Sequence, residues 1–224
     1  MVKAIGAGPF ERGLDIGCGT GLSTLALASH ASLAVGVDAV EVMLRHAIPG
    51  PNAAYCSAAA EHLPFAAGTF EVLTVSSGVH WFDQRAFFAE AARVLVRRGW
   101  IGIYDHIFVG ALDEPAIDAW LNDDYAQRYP PPPRFARAGT PLQAASRFRE
   151  IAAFEYEDPI TFTHTELVAY LLSHSNTIVP ATAGRESEEE TEAWLRSQSA
   201  RWFEPPEDRA FLFRGAVRCL RLED

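Results

Sequence analysis

GLDIGCGTGLST, residues 13–24, is the stretch from which the fold can be read. Leu14 to Ile16 forms a short apolar strand, Gly17, Gly19 and Gly21 follow at alternate positions, and Leu22 opens an amphipathic run with helical spacing. The order is strand, tight turn, helix. Glycines at alternate positions remove the β-carbons that would hold a ligand off the backbone, and they permit positive φ where the chain reverses. Asp15 stands at the carboxyl end of the strand, where an open α/β sheet places its binding crevice, and the first helical turn offers free N–H groups.

Spacing separates the two ligand classes that use such a turn. A dinucleotide fingerprint is GxGxxG, but counted from Gly17 its third glycine position holds Leu22, so the turn is GxGxG. Downstream, Leu22, Leu25, Ala26 and Ser29 keep helical spacing as far as His30, and Leu33 to Val37 is a buried parallel strand ending at Asp38. A carboxylate that ends the second strand of a βαβ unit is placed to accept hydrogen bonds from both hydroxyls of a ribose. Read alone, Asp38 could equally cap the helix expected over Val40 to His46. Beside the glycine turn, the ribose role is the expected one.

The stretch at 13–24 resembles motif I of the class I S-adenosylmethionine-dependent methyltransferases, LDxGCGTG, and specifically their small-molecule branch. Further segments resemble that family in order. Ala60, Glu61, Leu63, Pro64 and Phe65 match the element that lines the adenine pocket, although Ala59 stands where a polar residue is expected. RVLVRRGW, leading from a helix into a strand over Ile101 to Tyr104, resembles the family's E-x-x-RVLxxGG element. The resemblance covers roughly residues 13 to 106. It implies S-adenosyl-L-methionine as cofactor, held by Asp15, Gly17, Cys18, Gly19, Gly21, Asp38, Ala39, Ser76 and the backbone of Ala59 and Ala60. It also implies helices that precede the first strand and close over the cofactor. Only about a dozen residues precede Leu14, so either the start is truncated or the cover is expected from another segment, most simply residues 107 to 150.

Phe70 to Ser76 reads as a central strand buried on both faces, and SSGVHWF follows at its carboxyl end, again where the crevice opens. Asp83 is a good N-cap for the next helix, with Phe82 and Phe87 placed as a hydrophobic staple. His80 and Trp81 are the expected catalytic residues: Trp81 as a rigid apolar wall, His80 to orient or deprotonate an acceptor hydroxyl. A carboxylate acceptor would need no base. Packing under the following helix is the structural alternative for both, and His106 and His174 are further wall candidates. Arg93, Arg97 and Arg98 form the one local basic cluster, expected on the solvated end of that helix.

Beyond His106, residues 114–129 carry Ile117, Trp120, Leu121 and Tyr125 on one helical face, and prolines 130–133 stiffen the exit. Ile151 to Tyr156 and Ile160 to Phe162 look like strand material broken by Pro159. Thr163 and Glu166 make a capping box, residues 186–202 a charged surface helix, and residues 211–222 a last, antiparallel strand. YLLSHSNTI, residues 170–178, resembles the helix end that faces the substrate in trans-aconitate-type methyltransferases.

The expected fold is α/β, a Rossmann-like, doubly wound, mostly parallel sheet with an antiparallel last strand and a helical cap insertion. One domain is expected over residues 1–224: a cofactor-binding core at 13–106, a cap and substrate region at 107–205 that includes a later strand, and the last strand at 206–224. The 224 residues are 49% hydrophobic and can fill one sizeable core. A formal charge of −10 disfavours nucleic acid as a partner. No stretch approaches the roughly 18 apolar residues of a membrane helix, no signal peptide is visible, and the cytoplasm is the default location. Three widely spaced cysteines suggest neither a disulfide framework nor a metal site. The expected activity is methyl transfer to a small carboxylate or hydroxyl acceptor. A cofactor-binding but degenerate or truncated relative is the alternative, and a nicotinamide oxidoreductase is disfavoured by Leu22.

Overall fold

The computed structural model describes residues 7–130, 145–174, 176–178, 184–204 and 208–224. Seven strands form one sheet: β1 (Phe10–Ile16), β2 (Ala31–Asp38), β3 (Ala53–Ser57), β4 (Phe70–Ser76), β5 (Leu95–Ala111), β6 (Phe148–Phe162) and β7 (Arg209–Leu222). Their order is β3-β2-β1-β4-β5-β7-β6. β1 pairs parallel with β2 and β4, β2 with β3, and β4 with β5. β7 runs against both neighbours. Arg221 reaches the Arg98 carbonyl while the Leu112 N–H donates to Ala210, and Arg218 pairs with Glu150 while Arg214 pairs with Glu157. The chain reverses outward from β1 to β4, and that is where a doubly wound sheet opens its crevice.

By its internal contacts the chain divides into two compact units. The first holds the described parts of Met1–His106, Arg134–Tyr156 and Gly215–Asp224; the second holds those of Ile107–Pro133 and Glu157–Arg214. In the first unit, β-strand alternation gives each sheet face its own cover. Leu73, Val75, Ile101 and Ile103 share a core with Phe87, Phe88, Ala91 and Val94 of helix α3 (Gln84–Val94). Val72 and Trp100, on the other parity, pack with Leu27 and Ala28 of α1 (Leu22–Ala28). A short α2 (Glu41–Arg45) connects β2 to β3.

The second unit encloses an aromatic-rich core. Ile117 and Trp120 come from α4 (Pro115–Trp120), Tyr125 from a π-helical turn (Leu121–Tyr125), and α5 (Ala126–Arg128) continues from it. Leu167, Val168 and Leu171 of α6 (His164–Leu172) and Leu195 of α7 (Glu188–Ser199) complete it with Phe211 and Phe213. The capping box forms as expected, with Thr163 accepting from Glu166 N–H and Glu166 accepting from Thr163 N–H.

Three elements differ from the sequence reading. Pro159 does not break a strand: β6 continues through it from Phe148 to Phe162. β6 is the sheet's edge, where a residue without an N–H costs no ladder bond. The helix after Asp83 ends at Val94, and the residues read as its tail already belong to β5. Arg98 there has φ +59, and the pairing with β4 jumps from Phe70↔Leu95 to Val72↔Trp100, so a bulge absorbs the extra residues. Prolines 131–133 and Ser175 lie outside the described residues.

Candidate functional site

The crevice end of the first unit is built on the glycine turn. Gly17 and Cys18 both donate their N–H groups to the Val37 carbonyl, at 2.8 and 3.1 Å, and Gly21 donates to Cys18 at 2.9 Å. Gly17, Gly19 and Gly21 have φ of +70, +54 and +88, the left-handed region where a side chain is strained. Gly21 is required twice over, since a β-carbon there would strike the Tyr55 hydroxyl. The result is a turn whose outer surface is bare backbone, half-exposed at Gly17 and Gly19.

Asp38 is tied to this turn. Its Oδ2 accepts the Gly19 N–H at 2.8 Å and its Oδ1 accepts the Val40 N–H at 2.8 Å. The bond to Val40 closes a turn ahead of α2 and does not cap it, since the N-cap is Val40 itself and has no side-chain cap; the other bond ties the carboxylate to the glycine turn. A carboxylate has about four acceptor sites, so two protein bonds leave capacity for ligand hydroxyls. The carbonyl of Asp38 takes the Ala58 N–H at 3.2 Å, which sets residues 58–60 beside it. Ala39 and Ala59 are exposed, and Ala60 is buried in the α3-side core.

Asp15 lies behind the turn. It is fully buried, its Oδ2 accepting from Ser23 Oγ (2.6 Å) and Thr24 Oγ1 (2.8 Å) and its Oδ1 from Thr74 Oγ1 (2.8 Å). Whatever it does for a ligand it does through the turn and α1. Burial pushes its pKa up, the three hydroxyls oppose that shift, and the charge of Asp38 adds to it. Cys18 is also buried; burial, with the charges of Asp15 and Asp38, pushes its thiol up to about 12 and keeps it unreactive near neutral pH.

At the end of β4, Ser76 is half-buried and lies beside Tyr104, its register partner on β5. Burial, then the Asp15 charge, pushes the Tyr104 phenol up to about 12. Ser77 holds φ +49, donates its N–H to the Tyr104 carbonyl at 2.8 Å and accepts the His106 N–H at 3.3 Å through Oγ. A single 3₁₀ turn, Val79–Trp81, follows. His80 is only 6% exposed, its ring centroid 5.4 Å from that of half-buried Trp81. Asp83 caps α3 through Arg85 and Ala86, and Phe82 meets Phe87 at 5.2 Å as the expected staple. Phe82 does more than staple. Its ring edge would lie 3.3 Å from a β-carbon at Gly17, so it flanks the glycine turn.

Two further side chains support this end of the unit, of which the sequence reading missed Arg93. Glu61 accepts the Asp83 N–H at 2.9 Å, joining the residue-60 loop to the start of α3. Arg93 is not simply solvated: it donates to the carbonyls of Leu63 (3.0 Å) and Phe65 (2.7 Å) and pairs with Glu90, which accepts the Leu63 N–H. Paired ends of a helix three residues apart, opposite a Leu-Pro-Phe loop, are the signal that could have found it. His106 stacks on Tyr156 at 6.0 Å, whereas His174 belongs to the second unit and meets the Tyr125 hydroxyl at 3.1 Å. Among the described residues no group of three or more His, Cys, Asp or Glu side chains could hold a metal ion, and no helix is long and apolar enough to cross a membrane.

Residues 14–103 match the family described as Methyltransferase domain. Over these residues the chain is similar to methyltransferase domains. Among curated proteins, the chain is 32% identical over 129 residues to the uncharacterized methyltransferase YcgJ of Bacillus subtilis, covering 54% of this chain and 50% of that protein. It is 38% identical over 73 residues to the uncharacterized methyltransferase sll0829 of Synechocystis, covering 32% of this chain and 34% of that one. The matches thus span half or less of the length of these relatives. A solved structure from Anaeromyxobacter dehalogenans shares the fold at TM-score 0.69 and 23% identity, over 96% of this chain and 91% of its own. The crystal structure of YcgJ does so at 0.59 and 22%, over 100% and 97%. The matched stretch ends in β5 at Ile103, so Asp15, Asp38 and the whole glycine turn lie within it, while Tyr104 and His106 lie just beyond.

Proposed function

We propose that the protein transfers a methyl group from S-adenosyl-L-methionine to a small-molecule carboxylate or hydroxyl. The observation that supports this most directly is the anchored Asp38: a carboxylate bonded to Gly19 N–H, with acceptor capacity left, beside a turn stripped of β-carbons. The residues fit the nucleoside and methionyl parts of that cofactor. Asp38 would take the ribose hydroxyls, the Ala59 and Ala60 backbone the adenine edge, and the Gly17 to Gly21 turn the methionyl portion, with Cys18, Ala39 and Ser76 bordering it. When bound, the cofactor supplies an electrophilic sulfonium methyl, whose bond to sulfur breaks as the acceptor oxygen's lone pair forms the new bond to carbon.

The chain's own residues then orient and exclude water. Trp81 and Phe82 supply apolar walls. A carboxylate acceptor arrives ionised. A hydroxyl acceptor must give up its proton, and His80 is the group proposed to take it, its low exposure requiring that the acceptor meet it inside the site. No nucleic acid, membrane or metal enters this reading, and we place the activity in the cytoplasm.

Calorimetry with S-adenosylhomocysteine tests the reading. Micromolar-range binding is expected, weakened at least ~10-fold by Asp38→Ala, because hydrogen bonds to a charged group are the strong ones. Asp38→Asn has one amide oxygen and can keep only one of the bonds from Gly19 and Val40, so the melting temperature and circular dichroism of Asp38→Ala, unchanged if the turn survives, separate loss of the ribose partner from loss of the turn. Wild-type protein that binds NADH and not S-adenosylhomocysteine would overturn it. Once an acceptor is found, His80→Gln should lower turnover by roughly 10²-fold for a hydroxyl and leave a carboxylate acceptor nearly unaffected.

A further inference from the structure

Among the described residues β6 is the sheet's edge strand, and its first nine residues, 148–156, all belong to the first unit. Edge strands present unpaired backbone groups and are ordinarily protected by charge or proline. In β6 the proline lies in the later half, and the charges of the earlier half, Arg149, Glu150 and Glu155, flank an apolar centre at 151–154. Glu157, Asp158 and Pro159 occupy the later part, whereas the earlier part exposes Ile151 and Phe154, 39% and 41% accessible. Two alanines, Ala152 and Ala153, sit between these apolar residues.

From this arrangement we infer that residues 148–156 pair antiparallel with the same strand of a second copy, forming a two-fold dimer. A two-fold axis perpendicular to a sheet keeps each side chain on its own face, so directly opposed residues share parity and the axis passes midway between the two copies of one residue. Centred on Ala152, the pairing sets Ile151 against Ala153 and Arg149 against Glu155, twice over by symmetry. Neither Arg149 nor Glu155 has an ion-pair partner among the described residues, so each is available across the axis. Shifting the centre to Ala153 would oppose Arg149 to Glu157, which is already held by Arg214, and Ile151 to a glutamate. Shifting it to Phe154 would oppose Glu150 to Asp158, two like charges. Both alanine-centred registers put a small residue at the axis and unlike charges at both ends, but only the Ala152 register pairs two charges that lack another partner among the described residues; it sets Phe154 against Glu150, whose carboxylate is turned to Arg218.

Light scattering of the full chain from micromolar to high-micromolar concentration should show a monomer–dimer equilibrium. Arg149→Glu and Glu155→Arg, each of which places two like-charge pairs across the axis, should raise the dissociation constant by ~10-fold or more. The double variant should restore it, with melting temperature and circular dichroism unchanged throughout. As a second reading, Ala152→Cys should form a reductant-sensitive dimer on mild oxidation, because directly opposed residues of antiparallel strands lie within disulfide reach. Ala153→Cys, displaced from the axis, should cross-link at least ~10-fold more slowly. A protein that stays monomeric, a dimer indifferent to the single reversals, no recovery in the double variant, or equal cross-linking of the two cysteines would overturn the inference.

Discussion

Asp15 carries a charge into the interior and surrounds it with three hydroxyls rather than a cation. Its raised pKa fixes the sign of a pH effect. A carboxyl whose native pKa exceeds its unfolded value binds protons more readily when folded; its stabilising contribution is full below the unfolded pKa and is lost as pH rises through the native one. Asp15→Asn removes that titration. The stability of the wild type relative to the variant should therefore increase as pH falls from neutral toward the ordinary carboxyl pKa of 3.8. Denaturant unfolding of both proteins across that range measures it, and a difference that is flat or falls with acid would contradict the assignment. The same buried carboxylate explains why Thr74, in mid-strand and polar, is 3% exposed without being a fault in the core.

Arg93 belongs to α3 but acts on another element. Its guanidinium closes the Leu63–Phe65 loop from outside through two carbonyls, with Glu90 holding both the guanidinium and the Leu63 N–H. The Glu90 carboxyl is held below its ordinary range first by its bond from Arg93. Arg93→Met keeps the apolar stem and removes four donor contacts. It should cost about 1–2 kcal/mol, less than for a fully buried network because the side chains touch solvent. Hydrogen exchange should accelerate in residues 60–66, the loop proposed to read adenine, while the β1 and β4 amides stay protected. Unchanged exchange in that loop would show that its own Leu63 and Phe65 packing suffices.

Across the whole molecule, charge and covering of the sheet set what the protein can meet. With a formal charge of −10 and six of its arginines paired with Glu90, Asp224, Glu186, Glu192, Glu157 and Glu150, it should show no retention on heparin or duplex DNA at physiological salt. Fluorescence anisotropy with a labelled duplex checks this, and a salt-dependent rise in the micromolar range would contradict it. The glycine spacing, the acid after the second strand and the apolar runs over Leu14 to Ile16 and Phe70 to Ser76 determined the crossover unit, its parallel strands and the crevice end before any coordinates, because backbone conformation and burial periodicity are local properties of the chain. Which acid is buried and which stays accessible beside the glycine turn was not local. Asp15 and Asp38 both end strands, and only the hydroxyls of Ser23, Thr24 and Thr74, two of them from a helix and one from β4 far along the chain, turn Asp15 inward. In the same way Pro159 reads as a breaker until the strand order places it on an edge, and Arg93 reads as solvated until the loop 30 residues earlier folds beneath it. These outcomes depend on which distant segment becomes a neighbour, and that is decided by tertiary packing alone.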